Sequence, residues 1–342
     1  MTTTPTRQPT GQPTTGQARP PLPRGPFSRA VGDALARPPG TVILPDLEVA
    51  DPLGDDEQLA LYTCYELHYR GFAGVDPDWE WDLELLRLRR TLEDAFLTAL
   101  RDAVEGGDDV EAALAPLLTE DPSARGVSAF LRDEGSWDHL REHLVHRSVY
   151  HLKEADPHAW VIPRLQGQAK ASLVAVEYDE FGAGRASAAH SRLYADLMED
   201  AGLDGSYLRY LNAVPAPALA IVNMMSLFGL RRTLRAAMVG HFAAAEITTA
   251  PSARRMEAAL EKLGAGERAL LFYTEHIEAD AVHEQVLRHD VIGDLLAREP
   301  EAAADVVFGI QATGWLENGL ERLLLGSWDA GRSSLREPLP LV

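Results

Sequence analysis

From about Asp46 onward, apolar residues recur at intervals of three and four, the pattern of helices that bury one face. "DEQLALYTCYELHYRGF" and "WDLELLRLRRTLEDAFLTALRDAV" predict two helices joined by the loop "AGVDPDWEW", with Asp55 and Asp82 near their starts as N-caps. "GDDVEAALAPLLTE" and "SARGVSAFLRDEGSWDHLREHLVHRSVYHL" continue the pattern with Gly and Pro interruptions. "PRLQGQAKASLVAVEYDEF" reads as one long helix stopped by Gly182-Ala183-Gly184, and "SAAHSRLYADLMEDAGL" as another stopped at Gly202. "APALAIVNMMSLFGL", "LRRTLRAAMVGHFAAAEITTAPSARRMEAALEKLG", "FYTEHIEADAVHEQVLRHDV" and "AAADVVFGIQATGWLENGLERLLLGSW" complete the helical stretches. Period-two alternation bounded by turn pairs is hardly seen, and no repeat of fixed period stands out. The expected fold is therefore all-α, a bundle of about seven core helices with additional N-terminal helices.

The same pattern divides the chain. Residues 1–26, almost wholly Thr, Pro, Gln, Gly and Arg, cannot bury enough apolar surface to offset their ordering entropy, and a disordered tail is expected there. A transition segment (27–45), an N-terminal helical region (46–150), a metal-binding helical core (151–330) and a C-terminal tail (331–342) follow. Composition narrows the function classes. Of the 342 residues 46% are hydrophobic and 25% charged, an ordinary globular balance, and the net charge of −20 argues against a nucleic-acid partner. The single cysteine, Cys64, excludes an intrachain disulfide and a CxxC site, and fits a reducing cytoplasm. Any metal must be held by His and carboxylate. No stretch reaches the roughly 18 consecutive apolar residues of a membrane span, and residues 1–26 carry no apolar signal-like run. The expectation is a soluble, cytoplasmic protein with no membrane partner. No Gly-rich phosphate loop, nucleophile elbow or dinucleotide fingerprint is evident.

The candidate chemistry begins in "FYTEHIEADAVHEQVLRHDV". At about 100° per residue, His276, Asp280 and His283 fall within an arc of roughly 60°. Two imidazoles and a carboxylate on one helical face suit iron, manganese or zinc, although a solvated acidic helix shows the same spacing by chance. Carboxylates elsewhere change the weighing. Glu246 lies in the apolar "MVGHFAAAEITTA" and needs a partner if buried. Glu180 ends an apolar run, His190 opens the next helix, and Glu154 precedes the long helix. Each also has a structural reading: Glu177, Asp179 and Glu180 as a solvated helix end, His190 as a cap or core histidine, Glu154 as a partner of Lys153, Arg164 or Lys170. Joint occurrence favours the metal reading, because di-metal bundles take Glu and His from facing helices. Arg164, Lys170, Arg185 and Tyr178 are candidate substrate-orienting groups, with surface roles as the simpler reading. Tyr65, His68 and Tyr69 read as helix packing, and Met224, Met225 and Phe228 as core that could line an apolar pocket. His139, His143 and His146 share a stripe without a carboxylate and carry no metal expectation.

The spacing Glu180–x9–His190, then Glu246, then His276–x3–Asp280–x2–His283 resembles the haem-oxygenase-like di-iron oxidase and oxygenase superfamily. "CYELHYRGF", "KEADPHAWVIPRL", "EYDEFGAGR" and "EHIEADAVHEQV" are similar to its actinobacterial branch of iron-containing redox enzymes. The resemblance covers roughly residues 46–330. It implies a haem-oxygenase-like bundle, two iron ions and O2 as co-substrate. One iron would be bound by Glu180, His276 and Asp280, the other by His190, His283 and Glu154, with Glu246 bridging or shared; Glu180 and Glu246 stand closest to the chemistry. Glu154 matches an extra carboxylate of the N-oxygenating branch.

The function expected on that basis is O2-dependent, non-haem di-iron oxidation of a small amine- or amino-acid-derived metabolite. N-oxygenation and C–H cleavage leading to desaturation both remain open, in a natural-product setting. The alternatives are oxidative C–C cleavage or decarboxylation of a fatty or amino acid and, from another class, a haem-binding or non-catalytic iron-binding protein. Haem would need one neutral axial His in an apolar cleft, which several carboxylates do not provide. Homodimerisation through the N-terminal helices agrees with the resemblance, and no spacing argument demands it.

Overall fold

The computed structural model describes residues 17–119 and 125–339, without the side chains of residues 278–281. Most of the tail expected to be disordered therefore lies outside the described residues. Regular structure begins earlier than the apolar pattern suggested, with α1 (Pro26–Leu35) starting at the last residue of the expected tail and running through the first part of the transition segment. Pro26 supplies the fixed φ of a first helical turn. Asp56 caps this helix from a distance, accepting the Phe27 and Ser28 N–H groups at 2.7 and 2.8 Å. Helix α2 (Asp55–Glu66) has Gly54 rather than Asp55 at its N-cap. Asp55 instead accepts the Ala216 N–H at 2.8 Å, so it caps a helix far along the chain. Asp82 behaves as expected and caps α3 (Leu83–Asp102) by accepting from Glu84 and Leu85.

Short helices α4 (Val110–Leu114) and α5 (Val127–Asp133) lead to α6 (Trp137–His151), which runs across the expected boundary at residue 150. One turn, α7 (Asp156–Ala159), precedes α8 (Gly167–Glu180) and α9 (His190–Asp200). The break between α8 and α9 uses positive φ at Gly182, Ala183 and Gly184. A Cβ at Gly182 would collide with the backbone of residues 185–189, so this turn requires glycine. The apolar α10 (Ala216–Leu230) is buried along its length. Next come α11 (Arg235–Leu263), α12 (Glu267–Gln285), a π-helical segment over Val286–Ile292, α13 (Gly293–Arg298) and α14 (Ala303–Asp329). Gly264 in the left-handed region ends α11.

No strand occurs among the described residues, as expected of an all-α chain. Helix α11 packs against both α12 and α14. Its crossing with α14 is close enough that a Cβ on Gly240 would strike the Val306 backbone, and one on Gly309 the Ala237 backbone. A continuous apolar core extends from Phe27 to Leu335 and joins the N-terminal helices to the later bundle. Among the described residues, no helix is long and apolar enough to cross a membrane.

Candidate metal centre

Four helices and one turn aim acidic and imidazole side chains at one place inside the bundle. Glu154 sits in the turn after α6, Glu180 ends α8, His190 opens α9, Glu246 lies mid-way along α11, and His276 and His283 lie two turns apart on α12. All six side chains are buried. They form two triads, Glu154–His190–His276 and Glu180–Glu246–His283, and within each the ligand atoms lie within 4.8 Å of one another. The triads adjoin, since His190 Nδ1 is 2.7 Å from Glu180 Oε2 and the His190 and His276 rings are 4.3 Å apart.

This grouping differs from the expected split. His276 meets Glu154 and His190 instead of Glu180, and Glu180 joins His283 and Glu246. His276 and His283, about 10 Å apart along α12, still serve different sets as expected. What differs is that the turn after α6 and the start of α9 bring Glu154 and His190 to His276, while the end of α8 brings Glu180 to His283. Asp280 and Glu278, between them, have side chains outside the described residues.

Hydrogen bonds set the imidazole roles. His276 Nδ1 lies 2.6 Å from the Phe272 carbonyl, to which it must donate, and this turns Nε2 toward Glu154 Oε1 at 3.9 Å. His283 has Nδ1 3.2 Å from Glu246 Oε2 and Nε2 3.3 Å from Asp179 Oδ2. Both nitrogens face acceptors, so this ring is an imidazolium without metal. Burial alone would lower its pKa, but the bond to Glu246 and the surrounding carboxylates push it up to about 9. Glu246 is raised by burial despite that bond. Burial also works to raise Glu154, yet the His151 charge, the 2.9 Å bond to His151 and the His276 contact hold it well below the usual carboxylate range.

One participant was not anticipated. Glu177, expected as part of a solvated helix end, is 2% exposed and presents two carboxylate oxygens without a hydrogen-bond partner. Burial first, then the charges of Glu180 and Glu246, push its pKa well up. Its signal in the sequence was the i, i+3 spacing to Glu180, which puts both on one helix face while Tyr178 and Asp179 point outward. Glu180 Oε1 and His190 Nδ1 are likewise buried without hydrogen-bond partners, although His190 Nδ1 lies close to Glu180. Four buried carboxylates and unpaired donor atoms converging this way are costly alone and are satisfied by cations. Buried carboxylate and imidazole donors of this kind suit iron.

A cavity of about 460 Å³ opens beside this centre, and its lining includes Glu154, Glu246 and His276 together with Arg147 and Glu317. None of the four expected substrate-orienting residues lines it. Tyr178 is exposed and donates to the Ala183 carbonyl, Arg164 donates to the Gly229 and Leu230 carbonyls, Arg185 is exposed and Lys170 is half-buried elsewhere. Met225 does line the cavity, while His68 pairs with Glu80 in helix packing.

Comparison with known proteins points to an iron-containing family. The family described as "Iron-containing redox enzyme" matches residues 141–318, just over half of the chain. A curated protein from Streptomyces achromogenes subsp. streptozoticus, nitrosourea synthase, is 26% identical over 169 residues, which is 49% of this chain. The matched stretch spans 36% of that relative's length.

Proposed function

Because the chain belongs to the iron-containing redox enzyme family and has its all-α, haem-oxygenase-like fold, we propose that it is an O2-dependent di-iron oxidase or oxygenase. In this reading it acts on a small amine- or amino-acid-derived metabolite in natural-product biosynthesis. The observation that carries it is the pair of adjoining buried triads, Glu154–His190–His276 and Glu180–Glu246–His283. One iron would be held by each triad, with Asp280 as a further ligand and Glu177 close at hand. Bound ferrous iron supplies the electrons that O2 activation requires.

The protein's own groups do the rest. His276 is fixed by Phe272 O so that Nε2 faces the centre, which removes any rearrangement cost on binding. His283 must surrender its proton for a metal to bind, and Glu246 and Asp179 are its neighbouring acceptors. Phe272 and Tyr194 pack against His151, and Phe272 also packs against His276, so aromatic carbon covers one side of each imidazole. Phe242 stacks on His158 at 4.1 Å and forms part of the cavity wall. Substrate entering the cavity is thereby confined against Glu154, Glu246 and His276.

The relative's name, a nitrosourea synthase, supports a nitrogen compound as substrate. N-oxygenation and C–H cleavage both fit a nitrogen-bearing molecule confined there. The test is O2 consumption by Fe(II)-loaded protein mixed with a panel of amines and amino acids. Acceleration by a subset is expected. Equal rates with every candidate would remove the substrate assignment, and bound iron without O2 use would favour a non-catalytic iron-binding protein.

A further inference from the structure

Besides the triad residues, the cavity lining carries a second set of charges. Arg147 on α6 and Glu317 on α14 form a two-pronged ion pair, Nη1–Oε1 at 2.8 Å and Nη2–Oε2 at 2.6 Å. Both are half-buried and line the cavity, with 28% and 35% of their side-chain surfaces accessible. An ion pair meant only to tie helices together would gain nothing from a cavity at its face. Burial opposes both charges, but the Arg147 guanidinium holds the Glu317 carboxyl below its ordinary value.

Next to this pair stands an imidazole with a free lone pair. Thr313, one turn before Glu317, donates its hydroxyl hydrogen to the Gly309 carbonyl at 2.7 Å. Its oxygen can therefore only accept from His241 Nδ1, 2.8 Å away, so His241 carries its proton on Nδ1. His241 Nε2 is then a bare acceptor, buried and without a partner, on a ring that lines the cavity. Burial pushes the His241 pKa down to about 4, so the ring is neutral near pH 7. The site thus offers one guanidinium donor and two acceptors, Glu317 and His241 Nε2.

We propose that Arg147, Glu317 and His241 form the specificity-determining subsite for an amino-acid headgroup. Arg147 takes the carboxylate, and Glu317 and His241 Nε2 take the ammonium N–H groups. This rests on the reading above that the cavity holds the substrate of the adjacent metal centre. The chemistry is an exchange of partners: a zwitterion replaces one buried ion pair by two, and no charge is stranded. A fatty acid would pair with Arg147 and leave Glu317 alone, and a simple amine would do the reverse. The subsite therefore selects against the fatty-acid alternative. Arg147 lies one helical turn, about 6 Å of rise, before His151, which is bonded to Glu154. A headgroup docked here leaves the remainder of the molecule to extend toward Glu154 and His276.

Calorimetric titration of the full chain with L-norleucine, hexanoate and pentylamine tests this, because the three probes share an apolar chain and differ in head charge. Norleucine is expected to bind at least tenfold more tightly than either. R147M should weaken norleucine to the level of pentylamine, and E317Q to the level of hexanoate. The double variant Arg147→Met with Glu317→Met strands no charge, so it covers the case in which a single variant fails to fold, and it should show no preference. A preference below tenfold in the unaltered chain, no binding of norleucine at millimolar concentration, or a preference that survives in the double variant would overturn the proposal. The titrations are run with Fe(II) under anaerobic conditions and again without metal. Headgroup selection without iron binding would defeat the di-iron reading alone, whereas iron binding without selection would defeat the subsite alone.

Discussion

Raising the pH should tighten metal binding, and the size of the effect follows from His283. Without metal this ring carries a proton with a pKa of about 9, held by Glu246 and Asp179 on its two nitrogens. A metal ion cannot take the ring until that proton leaves, so binding at neutral pH releases one proton from the Glu246–His283 pair. Apparent affinity should rise about tenfold per pH unit between pH 7 and 9 and level off above, a total of ~2.7 kcal/mol. Glu154 adds no slope in this range, since it is held well below the usual carboxylate values. The same proton acts on folding. A pKa raised from 6.5 to about 9 contributes stability that is complete below 6.5 and lost as pH rises through 9. That amounts to about 3 kcal/mol in the metal-free protein. The assay is Mn(II) binding followed by the free-ion EPR signal from pH 6.5 to 9, with proton release read in weakly buffered solution. H283Q should flatten the slope. An affinity independent of pH in the unaltered chain, or one that falls with rising pH, would refute the assignment of the proton.

Three other outcomes follow from the packing. Cys64 is buried and its thiol is pushed up to about 12 by burial, so a disulfide reagent at pH 8 should label it only after denaturation. Lys153 and Glu66 form a buried ion pair at 3.1 Å, with the ammonium also over the Tyr62 and Tyr69 rings. K153M should destabilise the chain by roughly 3–5 kcal/mol in urea titrations, because it leaves the buried Glu66 carboxylate without its counter-charge, and adding E66Q should recover much of the loss. G240A places a methyl against the Val306 backbone where α11 crosses α14, and a loss of ~1–3 kcal/mol is expected in the same assay.

The helices and most of the candidate ligands were legible because both depend on local spacing. An all-α chain shows in its three- and four-residue periodicity, and His276 and His283 announce themselves on one face of α12. What escaped depends on tertiary contact. Asp55 looked like a cap for its own helix but satisfies the start of α10. The division of ligands between triads could not be read, since it depends on how the turn after α6 approaches α9 and α12. Glu177 was hidden among neighbouring acids, whose inward and outward faces are decided by what α8 packs against. Arg147 and Glu317 carry no signal in the sequence, and they acquire meaning only where α6 and α14 enclose a cavity. Conversely, Tyr178 and Arg185 were close to the ligands in sequence but point outward.

Iron stoichiometry after anaerobic loading with Fe(II) tests the central claim most directly. Two irons per chain are expected, with occupancy reduced by His276→Ala and by His283→Ala, each acting on a different triad. No bound iron, or full occupancy retained in both variants, would contradict the account.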